Sequence, residues 1–95
     1  MELTVGSRVV LLREMLGEKV GSIGFVFEAY PDFDDSSKVG VQVIFQGGGY
    51  DGFSAEEQDL YLENLGADSR YCMYEFNSVN RVSADFRNGY WRFND

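Results

Sequence analysis

Apolar and polar positions alternate along much of this chain with the period of two that marks half-buried strands. From Ser7, "SRVVLLRE" is rich in β-branched and aliphatic residues and predicts a first strand. In "IGFVFEAY", Ile23, Phe25, Phe27 and Ala29 alternate with Gly24, Val26, Glu28 and Tyr30, which predicts a second strand with the first set on its apolar face. "VGVQVIF" places Val39, Val41, Val43 and Phe45 on one face and Gly40, Gln42 and Ile44 on the other, a third strand. Gly17 and Gly21 mark the loop between the first two strands, and "PDFDDSSK", opened by the only proline, marks the next turn.

The stretch "SAEEQDLYLENLG" is ambiguous. Ser54 followed three residues later by Glu57 is a capping box, and Gly66 is a candidate C-terminal cap. A helix over 55–65 competes with a single helical turn at 55–58 followed by a strand "DLYLENL". The second reading is preferred, because the preceding hairpin needs a closing neighbour.

At the C-terminal end, "RVSADFRNGYWRF" contains Asn88-Gly89, the strongest short-range hairpin signal. A two-residue turn there pairs Phe86 with Trp91 and Asp85 with Arg92, gathering Val82, Ala84, Phe86, Trp91 and Phe93 on one face. A hairpin over 82–93 is therefore expected, and "YCMYEFNSV" (71–79) reads as a further strand or a short helix. The whole predicts a mainly β protein of one domain over 1–95.

The order of "VGSRVVLLRE", "GSIGFVFEAY", "VGVQVIF", an acidic turn and "LYLENL" resembles the small SH3-like β-barrels with KOW-type strand order, over residues 5–65. Those begin with a G-x-x-V strand, pass a Gly-containing loop (here Gly21 and Gly24) into G-x-V, and close with a helical turn and a short strand. The resemblance implies a small barrel or a strongly bent antiparallel sheet, with strands and a hairpin appended over 70–94. KOW-type domains often contact RNA, ribosomes or RNA polymerase through basic loops, whereas the matching region here offers only Arg8, Arg13, Lys19 and Lys38. The chain also resembles small orphan proteins carried on phages and gene cassettes, which implies an accessory role in a mobile element.

Charge sharpens this picture. The net charge is −8, and residues 39–69 hold six acids with no Lys or Arg, whereas residues 70–95 hold four Arg against three acids. Nucleic-acid affinity rests largely on Lys and Arg neutralising phosphates, so the central third argues against a general nucleic-acid binder. It reads instead either as a solubilising surface or as an acidic face for a basic protein partner. Asp51, Glu56, Glu57, Asp59 and Glu63 are the candidate residues of that face. In its extreme form they stand in for the phosphates of DNA. An alternative surface for a small molecule or nucleic acid combines Tyr90, Arg87 and Arg92 with neighbouring aromatic residues.

Candidate chemistry is sparse. The chain has no His and one Cys, Cys72, which removes His-based acid–base and nucleophilic catalysis, His metal sites and thiolate zinc sites. "DFDDSS" fails as a calcium loop, because Ser37 stands where Gly is needed and Val43 where the bidentate Glu belongs. In "QGGGYDGFS", Gly47 and Gly52 have the spacing of a phosphate loop, but Phe53 occupies the position of its Lys. The glycines read as a hairpin corner. No enzyme activity, cofactor or metal is expected. No run of about 18 apolar residues suits a membrane span, and "MELTVGSRVV" has no basic region leading into a long apolar stretch. With a lone Cys, these point to a cytoplasmic protein. An open strand edge would allow two copies to pair.

Overall fold

A computed structural model describes residues 3–15, 17–32, 35–67 and 79–89. The elements run β1 (Ser7–Leu11), β2 (Ile23–Pro31), β3 (Val39–Phe45), β4 (Tyr50–Phe53), α1 (Ala55–Tyr61), β5 (Leu62–Ala67) and α2 (Val79–Arg87). The five strands form one antiparallel sheet in the order β4-β3-β2-β1-β5. The edge strands β4 and β5 do not pair, so the sheet is bent rather than closed into a barrel. Helix α1 spans from one edge to the other.

One face of the sheet forms the main core from Val9, Leu11, Val26, Val41, Val43, Phe45, Phe53 and Leu62, joined by Leu3. The expected apolar face of β3 is the one that packs there. Phe45 and Phe53 meet edge to face with centroids 6.3 Å apart, a favourable aromatic geometry. Gly24 lies where β2 and β3 approach closely. A Cβ at this position would be 2.6 Å from the Ile44 carbonyl oxygen and 2.9 Å from Phe45 Cδ1.

Strand β2 departs from strict alternation. The β2–β3 register pairs Val26 with Val43 and then Glu28 with Gln42, leaving Phe27 as the extra residue of a bulge. Val26 and Ala29 therefore face the main core, while Phe25 and Phe27 belong to the opposite face. The apolar set expected from the sequence is thus split, because a bulge reverses the side of every residue beyond it. Phe25, Phe27 and Ile44 are nevertheless fully buried, so the second face is covered as well.

The capping box forms as expected. Ser54 Oγ accepts from the Glu57 amide at 3.1 Å, and Glu57 Oε1 accepts from the Ser54 amide at 2.9 Å. The helix extends past the expected turn at 55–58 to Tyr61, and β5 follows without a loop. Its first residue, Leu62, is extended and its amide still bonds the Gln58 carbonyl. Gly66 does not cap a helix. It has φ +101° within β5, where Asn64 and Gly66 oppose Val9 and Arg8 and Leu65 is the extra residue of a second bulge.

The expected hairpin over 82–93 is corrected by α2, which occupies its first arm. Asn88-Gly89 ends this helix: the Asn88 amide bonds the Ala84 carbonyl at 2.9 Å, and Gly89 has φ +73°. Positive φ at glycine serves a helix terminus as readily as a hairpin turn, so the dipeptide does not distinguish them. Val79, Val82 and Phe86 also recur at helical spacing. Asp85 accordingly lies 3.9 Å from Arg81 one turn earlier in the same helix. The second arm from Tyr90 onward, and the strand or helix expected at 71–78, lie outside the described residues. Val82 of α2 is fully buried.

Candidate functional site

Helix α1 is held to the sheet by a few contacts and leaves the rest of its surface open. Gln58 Nε2 donates to the carbonyls of Val39 at 2.7 Å and Phe53 at 3.3 Å, tying the helix to β3 and β4. The ring of Tyr61 packs on Phe53 with centroids 6.2 Å apart. Asp32, at the end of β2, accepts from the Ala55 amide at 3.1 Å and so satisfies a free donor of the first turn. No residue of α1 is fully buried. At about 100° per residue, Glu56, Asp59 and Leu60 share the side opposite Gln58 and Tyr61, and Glu57, one turn before Tyr61, lies at its margin. All four are exposed, Leu60 by 47%.

The five candidate acids do not form one cluster. Glu56 and Asp59 on α1 and Glu63 on β5 are exposed and make no hydrogen bond or ion pair among the described residues. Glu57 is exposed, but its carboxylate is engaged in the capping box. Asp51 is half-buried on β4 and accepts from the Gly52 amide at 2.8 Å. Two of the five thus serve local backbone donors, and three are available to a partner.

Two further acids, read from the sequence only as strand and turn residues, are buried. Glu28 is 7% exposed, with Oε1 3.4 Å from Gln42 Nε2, and Asp32 is also 7% exposed. They flank Tyr30, whose hydroxyl is pushed above its ordinary value of 10.0, first by burial and then by the negative charges of Asp32, Glu28, Glu57 and Asp51. The β2 bulge brings Phe27 and Glu28 to the same face of the sheet, so the placement of Glu28 depends on a register that neither strand encodes alone. In the following turn, Asp35 accepts from the Ser37 hydroxyl at 2.6 Å and the Ser37 amide at 3.0 Å. These bonds hold its carboxyl below the ordinary value of 3.8. The acids of "DFDDSS" that are described, Asp32 and Asp35, therefore shape the backbone. Among the described residues, no three carboxylate or thiol groups converge as metal ligands would.

The glycine-rich turn joins β3 to β4 as a hairpin corner. The Gly48 amide bonds the Phe45 carbonyl and the Phe45 amide bonds the Gly49 carbonyl, both at 2.8 Å, with Gly48 at φ +93°. The Glu18 carboxylate lies against it: a Cβ at Gly49 would be 2.7 Å from Glu18 Oε1. A phosphate in this loop would meet that negative charge. Of the alternative surface, Arg87 is exposed in the last turn of α2, and Tyr90 and Arg92 lie outside the described residues. Among the described residues, no helix is long and apolar enough to cross a membrane.

No protein family, curated protein or solved structure matches this chain.

Proposed function

We propose that this protein is a non-catalytic interaction module that presents an acidic surface to a basic protein partner. The observation that carries this reading is the outward side of α1. Glu56 and Asp59 are exposed there without hydrogen-bond or ion-pair partners among the described residues, beside an exposed Leu60, in a segment from 39 to 69 that contains no Lys or Arg. Surface carboxylates arranged in this way steer a basic partner and set its orientation. An exposed leucine among them adds an apolar contact.

The strand order β4-β3-β2-β1-β5, with a short helix between β4 and β5, supports reading the sheet as a variant of the small SH3-like barrels. An accessory role in a mobile element is consistent with so small a module. The test is capture of partners at graded salt. A basic protein retained at low salt and released at high salt supports the reading, whereas RNA or single-stranded DNA bound at moderate salt contradicts it.

A further inference from the structure

Strand β4 is an edge of the sheet, and among the described residues it pairs only with β3. The Phe45 amide bonds the Gly49 carbonyl at 2.8 Å, which makes those two residues a hydrogen-bonded pair. Such pairs alternate along an antiparallel ladder, so Val43 with Asp51 and Val41 with Phe53 are the next ones. Tyr50 and Gly52 therefore direct their amides and carbonyls away from β3, and Tyr50 is 53% exposed.

An edge of this kind is self-complementary. Two copies of β4 set antiparallel about Asp51, with Tyr50 of each opposite Gly52 of the other, would exchange four backbone hydrogen bonds. Two of the four need the Gly52 amide. That amide is already taken, because Asp51 Oδ1 accepts from it at 2.8 Å. Asp51 stands opposite Val43 on the face of the sheet that carries the main core, half-buried and with no ion pair among the described residues. A carboxylate packs poorly at such a position. An inward-pointing charge on an edge strand is, however, one of the ways in which proteins keep sheet edges from pairing.

We propose that the β4 edge is a latent pairing site for a second copy of this chain, held closed by Asp51. The carboxylate occupies the Gly52 donor, and in a paired edge it would also face its own counterpart across the two-fold axis. The inference is independent of the acidic-surface reading, which rests on α1.

It is tested with the full chain by sedimentation equilibrium of the wild type, Asp51→Asn and Asp51→Val. Asn keeps an oxygen for the Gly52 amide and removes the charge, whereas Val removes both and suits the apolar face beside Val43. Asp51→Val is expected to self-associate more strongly than the wild type by about tenfold to a hundredfold, the worth of two backbone hydrogen bonds. Asp51→Asn should stay within about fivefold of the wild type, the range of one cross-strand pair. In the Val dimer the Tyr50 and Gly52 amides should become protected from hydrogen exchange together. A folded Asp51→Val chain that stays monomeric, or that dimerises with those amides unprotected, overturns the proposal, as does a wild type already paired through β4. Equal association of the Asn and Val variants overturns the role of the capped amide. The wild type supplies a readout that needs no substitution: its Gly52 amide should exchange more slowly than its Tyr50 amide once both rates are corrected for sequence. Equal exchange at the two positions contradicts the proposal even if Asp51→Val fails to fold.

Discussion

The ring of Tyr30 on β2 lies against Gly40 on β3, its directly paired neighbour, so closely that a Cβ at Gly40 would be 2.5 Å from Tyr30 Cε2. The ring extends towards β4, where a Cβ on Gly52 would lie 3.2 Å from its hydroxyl. An aromatic ring covering glycines on neighbouring strands restores the side-chain contact that they lack and fixes register. It also places the phenol among Glu28, Asp32, Asp51 and Glu57.

Gly40→Ala is therefore expected to destabilise the fold by about 1–3 kcal/mol in urea unfolding, the usual cost of overpacking. In a Tyr30→Ala background the same substitution should be close to neutral. Gly24→Ala should cost more than Gly40→Ala, because it meets the backbone carbonyl of Ile44, which cannot rotate aside as a ring can.

Tyr30 links stability to alkaline pH. Its hydroxyl titrates above 10.0 in the folded protein, so above that pH the unfolded chain gives up this proton first. The contribution is fully present below the unfolded value and is lost as pH rises through the folded one. Stability should fall above about pH 10, and Tyr30→Phe should flatten that fall. Ultraviolet difference titration of the tyrosines, paired with urea unfolding across the same range, measures both effects.

Asp35 behaves in the opposite sense. Its carboxyl is held below 3.8 by Ser37, so its contribution is present above the unfolded value and is lost as pH falls through the folded one. Ser37→Ala should return the Asp35 titration, followed by carbon-13 NMR, towards its ordinary value.

Ser54→Ala should destabilise the protein by about 1 kcal/mol through loss of the N-cap, and Ser54→Asp should retain most of that stability. Since α1 carries Glu56 and Asp59, the Ala variant should also weaken partner capture more than the Asp variant does.

Much of this architecture was legible wherever the signal is local. The alternation of Val39, Val41, Val43 and Phe45 depends only on the pleat, and the pairing of Ser54 with Glu57 only on the first turn of a helix. The bulge at Phe27 was hidden, because register belongs to a pair of strands and not to either alone. The Asn88-Gly89 pair was misleading, since the backbone geometry glycine supplies is shared by hairpins and helix ends. Within the candidate site, the acidity of the segment was plain in the sequence, but the division of labour was not. Glu57 and Asp51 are engaged by nearby amides, and only the fold distinguishes them from Glu56, Asp59 and Glu63.

The most direct test of the acidic surface is partner capture by the wild-type chain and by Glu56→Gln/Asp59→Asn/Glu63→Gln, at about 50 mM and about 500 mM salt. All three substitutions are at exposed sites, so the variant should fold, which circular dichroism can verify. The expected result is a basic protein held by the wild type at low salt, released at high salt, and not held by the variant at either. Capture that is equal for both proteins and unaffected by salt would contradict the account.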